Sequence, residues 1–377
     1  MEKRIELRVD QLSLTFKFED ENVAYDKHVQ RCEAMIKDLI VEYSLEKIFI
    51  SLEKLQGRNG YTFGYRFVVD NQEMMSFGYS DKLQNMGLFV EFKATGLEEF
   101  LARSEIDFVK FIQGLNKLTR AQGYQGQWKI TRYDIAADLF NYGIDLTRIH
   151  NKIVKGTVKF QKLSKRGDTT IDKYIDRALD IENRVKYVGS GDKIETLYVG
   201  TRKWKSSFLR FYNKYLDVID KGKKAEDKCF SSDWYRYEIE LKFDVTSGTS
   251  FFKAVSQVKT EEDFKVFHAK QILDNFRLVT YRGNDVSFIG DIAKIASGGD
   301  FGHISANESR SFELDKSKQY FISGKSGIQS LIYKIKKTEG YDAVLDFLND
   351  MLEYQEKEYK PNQSDVLYER RYNSDTF

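Results

Sequence analysis

The stretch that decides the fold reads Arg132-Tyr133-Asp134-Ile135-Ala136-Ala137-Asp138, inside residues 128–140. Charged or small residues alternate with mostly apolar ones, which indicates a β-strand with two different faces. Successive side chains of a strand point to opposite faces of the sheet, so residues two apart share a face. One face of this strand therefore carries Arg132, Asp134, Ala136 and Asp138.

Three further segments alternate in the same way, and we predict strands at Glu195–Arg202, Phe208–Lys214 and Trp234–Phe243. Their polar faces carry Thr196, Tyr198, Gly200 and Arg202; Arg210, Tyr212 and Lys214; and Arg236, Glu238, Glu240 and Lys242. A solvated face with cross-strand ion pairs is an equally good interpretation of each strand alone. The small Ala136 and Gly200 favour a bound ligand instead, because they leave room above the sheet.

The chain before these strands supplies more of the sheet. Alternation predicts a strand at Ile5–Phe18. Asn59-Gly60 predicts a hairpin between Lys47–Leu55 and Tyr61–Asp70, because both turn positions need a positive φ. A further strand is predicted at Leu88–Ala94, and helix-period apolar residues predict helices at Val23–Tyr43, Ile106–Ala121 and Leu146–Val154.

Beyond about residue 255 the pattern becomes helical, with predicted helices at Val258–Val279 and Ser326–Tyr359 around a Gly/Ser/Asn-rich stretch at 297–311. We therefore predict an α+β fold. It has a largely antiparallel sheet with one polar, catalytic face and flanking helices, followed by a mostly helical C-terminal region. The predicted domains are residues 1–255 and residues 256–377.

The amino-acid composition excludes few classes of function. The 377 residues include 60 Lys+Arg and 58 Asp+Glu, so the net charge of +2 selects no class of partner. Cys32 and Cys229 are far apart and in no ligand spacing, which is typical of a reduced cytoplasmic protein. No apolar run approaches the length that crosses a membrane, so we expect no membrane partner.

The acids of the polar faces indicate a metal site. Asp134, Glu238 and Glu240, with Asp138 nearby, offer hard oxygen donors, which suit Mg²⁺ or Mn²⁺ better than zinc. The four histidines are scattered and form no His-x-His pair, so a two-histidine metal site is not expected. We predict one divalent cation held by carboxylates.

Tyr198 is the candidate nucleophile on the same face. A phenol has an unperturbed pKa of about 10, so it needs a neighbouring cation such as Arg202 or Arg210, or the metal, to react at neutral pH. The chain has 23 tyrosines, and the alternative for any one of them is a core or surface aromatic residue. Pattern alone does not choose between the two.

Basic residues cluster at Lys152–Arg166 and at Arg202–Lys224, the second with Trp204, Phe208 and Tyr212 interleaved. Aromatic rings among cations favour single-stranded DNA, because bases stack and phosphates pair with the charges. A solvated basic loop explains the first cluster equally well. The chain contains no Gly-x-x-x-x-Gly-Lys-Ser/Thr phosphate loop and no Gly-x-Ser-x-Gly elbow.

Taken together, these blocks resemble the replication-initiation-factor family, which comprises rolling-circle initiators of small Gram-positive plasmids and related relaxases of conjugative elements. Thr131–Asp138 resembles its Arg-x-Asp-x-Ala-x-Asp block. Glu195–Arg202 followed by Phe208–Lys214 resembles its Tyr-x-Gly-x-Arg … Arg-x-Tyr-x-Lys block. Trp234–Lys242 resembles its Arg-x-Glu-x-Glu-Leu-Lys block, and Val9–Phe16 suits the start of these domains.

The resemblance implies a DNA nicking-closing enzyme that forms a covalent 5′-phosphotyrosyl intermediate to start rolling-circle plasmid replication or conjugative transfer. Residues 1–255 would be the nicking domain, and 256–377 a region for DNA recognition or oligomerisation. The implied catalytic residues are Tyr198 and Arg202. The implied metal ligands are Asp134, Glu238, Glu240 and Asp138, and the implied DNA-binding residues are Arg132, Arg210, Tyr212, Lys214 and Arg236.

The implied partners are single-stranded or cruciform origin DNA, a host helicase and polymerase, and a second copy of the chain in a homodimer. Whether the chain is a plasmid initiator or an element relaxase stays open, with a slight preference for a relaxase-like relative. The main alternative is a non-catalytic DNA-binding protein on a decayed nicking domain. A structural partner protein whose polar face merely forms ion pairs is the third interpretation.

Overall fold

The computed structural model describes residues 2–20, 23–58, 60–104, 106–164, 173–177, 185–200, 202, 207–220, 232–298, 322 and 328–360. The chain divides into two compact units, residues 1–307 and residues 308–377. No helix in the described ranges is long and apolar enough to cross a membrane.

The first unit contains all of the described strands. They are β1 (Arg4–Phe18), β2 (Ser51–Arg58), β3 (Tyr61–Val69), β4 (Gln72–Tyr79), β5 (Leu88–Phe92), β6 (Gly126–Phe140), β7 (Val158–Ser164), β8 (Lys173–Asp176), β9 (Val185–Ser190), β10 (Lys193–Gly200), β11 (Ser207–Asn213), β12 (Trp234–Lys242) and β13 (Arg277–Thr280).

The helices of the first unit are α1 (Tyr25–Glu42), α2 (Leu45–Phe49), α3 (Ala94–Arg103), α4 (Phe108–Ala121), α5 (Leu146–Val154), α6 (Lys214–Asp220), α7 (Val245–Ser256), α8 (Glu261–Phe276) and α9 (Ser287–Ser297). The second unit contains α10 (Ile328–Thr338) and α11 (Tyr341–Lys357), which pack against each other.

Ten strands form one sheet in the order β2-β3-β4-β5-β1-β6-β12-β11-β10-β9. Every neighbouring pair in it is antiparallel, which confirms the predicted α+β fold. The strands β13, β7 and β8 form a second, smaller antiparallel sheet. In the large sheet, β1 joins the β2–β5 half to the half that contains β6 and β9–β12.

One face of the large sheet is apolar and lies against helices. Tyr133 on β6 is fully buried between Phe108 of α4, with ring centroids 5.9 Å apart, and Phe251 of α7, at 5.1 Å. Its hydroxyl lies 2.8 Å from Nε2 of His268 on α8, and burial lowers the pKa of this histidine to about 4. The core of the first unit therefore lies between this face and the helices.

Several local elements differ from the sequence prediction, and two of them lie in the β2–β5 half of the sheet. The predicted strand Lys47–Leu55 begins only at Ser51, because the chain forms the short helix α2 before it and turns through Ile50 at φ 66°. The unpredicted strand β4 follows a tight turn at Asp70 and Asn71, whose φ angles are 48° and 61°. Asp and Asn tolerate this left-handed conformation better than most residues, which explains the turn.

The chain after residue 255 also differs in detail. The predicted boundary at 255 falls inside α7, and the first compact unit continues to residue 307. The predicted helix Val258–Val279 ends at Phe276, where the chain continues into β13. Most of the Gly/Ser/Asn-rich stretch at 297–311 lies outside the described residues. The division into a nicking domain and a C-terminal recognition region stays a prediction.

Candidate active site

Antiparallel pairing brings Tyr198 into line with an arginine and a glutamate on the polar face. Tyr198 on β10 lies opposite Arg210 on β11. Arg210 lies opposite Glu238 on β12, which in turn lies opposite Ala136 on β6. Residues directly opposite in such a pair share a face, and neighbouring strands are about 4.8 Å apart. Two spacings therefore put the Cα atoms of Tyr198 and Glu238 roughly 10 Å apart.

A parallel row of residues lies two positions further along the same strands. Gly200 lies opposite Phe208, and Phe208 lies opposite Glu240. Glu240 lies opposite Asp134, which faces Gln11 on β1. The four segments singled out in the sequence thus share one sheet and place their polar positions on one face.

Arginines are bonded to the acids of both rows. Arg132 donates from Nε and Nη2 to the two oxygens of Asp134, at 2.9 and 2.6 Å, and from Nη2 to Oε2 of Glu240 at 3.0 Å. Arg210 donates from Nη2 to both oxygens of Glu238, at 2.8 and 2.7 Å. Cross-strand ion pairs are therefore a real part of this face.

The carboxylates of these rows are removed from water. Asp134 is 1% exposed, Glu238 6% and Glu240 5%. The pKa of Asp134 is raised to about 7, because burial and the charges of the two glutamates raise it by more than Arg132 lowers it. The pKa of Glu238 is also raised, first by burial and then by the charge of Asp10. Such crowded acids gain from any additional positive charge.

Asp138 and Arg236 are bonded to each other in a neighbouring network of buried hydrogen bonds. Arg236 donates from Nε and Nη2 to the two oxygens of Asp138, at 2.7 and 2.8 Å, and Trp234 donates to Oδ1 at 3.0 Å. Arg236 is 3% exposed and also donates from Nη1 to Asp10 at 2.7 Å. The geometry therefore does not favour the metal-ligand role predicted for Asp138 or the DNA contact predicted for Arg236.

Asp10 is a site residue that the alternation pattern missed. A β-bulge between Val9 and Gln11 interrupts the register of β1 against β6. Asp10 lies at this bulge, 6% exposed, with its carboxylate on Arg236. A bulged residue can leave the face that simple alternation assigns to its neighbours. The only signal in the sequence was its place within Val9–Phe16, one of the segments that carry the family resemblance.

The carboxylates of the two rows are chemically suitable ligands for a hard divalent cation. Asp134, Glu238 and Glu240 supply carboxylate oxygens, the ligands that Mg²⁺ and Mn²⁺ prefer. Oε1 of Glu240 is buried and lies 2.8 Å from Lys242, yet it receives no hydrogen bond of good geometry. Within the described part of the chain, no group of three or more His, Cys, Asp or Glu residues has the geometry to hold a metal ion. Arg132 would have to turn away from the acids for a cation to bind.

Tyr198 itself is half-buried, and its ring stacks on Phe208 with 5.9 Å between centroids and 21° between planes. The guanidinium of Arg202 lies 4.6 Å from the centre of the Phe208 ring. Nε of Arg202 is 3.5 Å from Oε2 of Glu240, and its side chain is 55% exposed. Arg202 thus connects the stacked rings to the acids and still reaches solvent.

Backbone conformation and packing account for the two small residues, Gly200 and Ala136, without a ligand. Gly200 ends β10 with φ 94°, and a Cβ there would lie 3.1 Å from the carbonyl oxygen of Ser207. This backbone conformation by itself requires glycine. Ala136 is 0% exposed, so no open recess lies above it.

Tyr212 and Lys214, predicted to bind DNA, make protein contacts instead. Tyr212 is 4% exposed, its hydroxyl donates to Glu238 at 3.4 Å, and burial raises its pKa. Nζ of Lys214 donates to Asp217 at 2.7 Å and lies 5.6 Å from the Tyr212 ring. Tyr212 thus supports Glu238, Lys214 packs on Tyr212, and the DNA contacts of both stay predictions.

The two basic segments are only partly described. In the first, Lys159 on β7 pairs with Asp176 on β8 at 2.7 Å, and residues 165–172 lie outside the described ranges. In the second, residues 203–206, which include Trp204, and residues 221–231 lie outside them. The DNA contacts predicted for both segments stay predictions.

Comparison with known proteins bears on this region. The family model "Replication initiation factor" matches residues 128–279, the segment that contains β6, β10, β11 and β12 with Tyr198 and the acids of both rows. Residues 128–279 form a replication-initiation-factor domain. This match confirms the family resemblance carried by the three sequence blocks.

A solved structure, "Structure of Rolling Circle Replication Initiator Protein from Geobacillus stearothermophilus", is 19% identical to this chain. The match covers 77% of this chain and 97% of that one, with a TM-score of 0.48. The search of curated proteins found no significant match.

Proposed function

We propose that the replication-initiation-factor domain is a site- and strand-specific DNA nicking-closing enzyme whose nucleophile is Tyr198. One observation carries the proposal. Tyr198, Arg210 and Glu238 lie opposite one another on three successive strands of the polar face. A phenol, a guanidinium and a buried acid on one row are the groups that phosphoryl transfer to a tyrosine requires.

In the proposed reaction, Oη of Tyr198 attacks the scissile phosphorus and the bond from phosphorus to the 3′-oxygen breaks. The phenolic proton ends on the departing 3′-oxygen, which becomes a free 3′-hydroxyl. The 5′-phosphate stays joined to Tyr198 as a phosphodiester. Because the number of phosphoester bonds is unchanged, the reverse attack reseals the strand without ATP.

Asp134, Glu238 and Glu240 would hold the Mg²⁺ or Mn²⁺ ion, which would supply positive charge to the scissile phosphate. Asp138 is left out of this set because Arg236 and Trp234 occupy its oxygens.

The exposed Arg202 is placed to contact the DNA backbone and offset developing negative charge. Arg132 and Arg210 are about a quarter to a third exposed, so they become available to phosphate when their acids take another cation. Arg236 and Tyr212, being buried, act by holding the acids in place.

In the cell, this activity would start rolling-circle plasmid replication or conjugative transfer at single-stranded or cruciform origin DNA. The free 3′-hydroxyl would prime a host polymerase, and a helicase would open the duplex. A homodimer and the relaxase role rest on the family resemblance alone.

Adduct formation tests the proposal. Wild-type protein, incubated with Mn²⁺ and a labelled origin oligonucleotide, should form an SDS-resistant complex, and Tyr198→Phe should form none. Tyr187→Phe, on the neighbouring strand β9 and 57% exposed, is the matched control and should form the complex as the wild type does. If Tyr198→Phe still forms the adduct, another nucleophile carries the reaction.

Arginines already pair with the acids of the site. This observation favours one alternative function, that of a DNA-binding protein on a decayed nicking domain. It would bind the same oligonucleotide and form no adduct with Mg²⁺ or Mn²⁺ at any pH. Adduct formation by the wild type excludes it.

A further inference from the structure

A groove lies over the β2–β5 half of the large sheet, away from the acids of the site. It is shallow, and its lining includes Tyr61, Ser76, Gly78 and Phe89. We call it the Tyr61 groove. Gly78 lies opposite Phe89, and Phe89 lies opposite Thr15 on β1. Ser13, two residues before Thr15, lies opposite Arg132 in the acidic site, so the groove opens on the same polar face.

The lining of the groove includes two aromatic rings that stack on each other. Tyr61 stacks on Phe89 with 5.3 Å between ring centroids and 22° between planes. The Tyr61 ring lies against Gly78, where a Cβ would meet ring carbons at 3.2–3.4 Å. The Tyr61 hydroxyl bonds Thr15, which fixes the ring, and both rings are half-buried. A rigid, partly open aromatic surface of this kind accepts a third planar ring.

Ser76 provides a polar group in the same groove. It is 2% exposed, and its Oγ has no hydrogen-bond partner among the described residues. Leaving a buried hydroxyl unbonded costs stability, and most native proteins avoid it. A polar atom of a ligand in the groove would satisfy this hydroxyl.

A cation stands beside the groove. Lys129 on β6 lies opposite Thr15, is half-buried, and has no carboxylate partner in the described part of the chain. Burial and the charge of Lys17 both lower the pKa of Lys129, so the protonated form of this lysine is disfavoured here. A bound anion would stabilise the protonated form. The acid nearest in the strand order, Glu91, is already paired with Lys93 at 2.5 Å.

We propose that the Tyr61 groove binds one unpaired base of the DNA strand, stacked on the open face of the Tyr61–Phe89 pair, with Lys129 on an adjoining phosphate. Bases of any sequence can stack on such rings, which is how single strands are commonly held. The inference rests on the proposed DNA substrate but not on the covalent chemistry. It assigns DNA contact to strands that lie before the matched family segment.

The distance between Tyr198 and the Tyr61 groove determines which nucleotide of the strand the groove would bind. Five strand spacings and about six residues along the strands separate Tyr198 from Phe89, roughly 30 Å in all. The bound base is therefore several nucleotides from the scissile phosphate. The groove would fix the path of the strand across the polar face rather than act in the reaction.

The test measures equilibrium binding of a fluorescein-labelled 20-nucleotide oligo(dT) by anisotropy, in a Tyr198→Phe background so that no nicking occurs. Phe89→Leu keeps an apolar side chain but removes the aromatic face, and it should weaken binding roughly 5- to 100-fold. Phe89→Trp should bind at least as tightly as the parent. Tyr281→Leu, an aromatic residue 59% exposed in a turn outside the large sheet, is the control and should bind normally.

Three further variants separate a direct contact from a loss of folding. Lys129→Gln should lower the slope of log K against log salt concentration by about 0.7, the value for one phosphate contact on a single strand. Lys54→Gln, an exposed lysine on β2, should leave the slope unchanged. Ser76→Ala should weaken binding while the melting temperature stays the same or rises.

Normal binding by both Phe89→Leu and Lys129→Gln would overturn the proposal. So would competition by a duplex of the same sequence as strong as that by the single strand, because paired bases offer no free face to the rings. A wild-type protein that binds through the groove and forms no adduct would defeat the nicking chemistry alone.

Discussion

Arg210 lies directly opposite Tyr198 and donates to both oxygens of Glu238, at 2.8 and 2.7 Å. A single guanidinium thus stands between the proposed nucleophile and the nearest acid of its row. Glu238 is 6% exposed, and Arg210 is its main source of compensating charge. The stability of the site and its reactivity therefore depend on the same side chain.

Removing Arg210 should destabilise the fold strongly. Arg210→Ala leaves Glu238 buried without its partner, which typically costs about 3–5 kcal/mol in the free energy of unfolding. Urea denaturation measures the loss. The double variant Arg210→Ala/Glu238→Gln should recover a large part of it, because position 238 then carries no charge that needs the arginine. Equal losses in the single and double variants would show that packing, and not charge, is responsible.

The buried pair of Tyr133 and His268 should make the protein sensitive to acid. The pKa of His268 is lowered to about 4 in the folded chain, against about 6.5 in the unfolded chain. Between these values the unfolded state binds the extra proton, so stability rises with pH from about 4 to 6.5 and then levels off. This one group accounts for about 3 kcal/mol over that range.

Thermal melts across pH 4–8 check this expectation. His268→Gln should flatten the rise, whereas Tyr133→Phe should lower the melting temperature at every pH and keep the rise. An unchanged pH profile for His268→Gln would mean that other groups dominate.

Arg132 should compete with a metal ion for the acids. Arg132→Gln removes a charge bonded to both Asp134 and Glu240, so Mn²⁺ should bind about tenfold more tightly, as measured by calorimetry. For the wild type, affinity should rise as pH increases through about 7, because protonated Asp134 is a poor ligand. Arg66→Gln, which breaks the more exposed pair with Glu53 on the same sheet, is the control and should not change Mn²⁺ affinity.

Replacing each of two glycines by alanine should change the free energy of unfolding in opposite directions. Gly200→Ala places a Cβ at φ 94°, 3.1 Å from a backbone oxygen, and should cost about 1–3 kcal/mol. Gly290→Ala lies within α9, where a Cβ meets only an ordinary contact, and should stabilise by about 0.5–1 kcal/mol. Chemical denaturation of both variants gives the comparison, and a tolerated Gly200→Ala would remove the conformational explanation for this glycine.

The sequence allowed much of the sheet to be predicted, because alternation with period two is a local signal. It placed the polar residues of β6, β10, β11 and β12 on one face, which the register confirms. It did not reveal the bulge at Asp10, because an inserted residue leaves no mark in a pattern of polar and apolar letters. Nor did it show how far arginines neutralise the acids, since strand order decides which charges become neighbours.

Short elements also escaped prediction. The helix α2 has only one turn, too short for a helical period to appear, and β4 depends on the Asp70-Asn71 turn. The roles of individual site residues stay predictions.

The position of β1 has a consequence for how the chain acquires its shape. Arg4 pairs with Phe140, and the same strand pairs with β5 at Phe92, so the centre of the sheet joins segments far apart in sequence. Closing such long loops is slow, because the chain loses conformational entropy before the stabilising long-range contacts have formed. Until β6 has been synthesised, β1 has an unsatisfied edge that can pair with the wrong strand. We expect this protein to be a slow folder that is prone to aggregate when its translation stalls before residue 140.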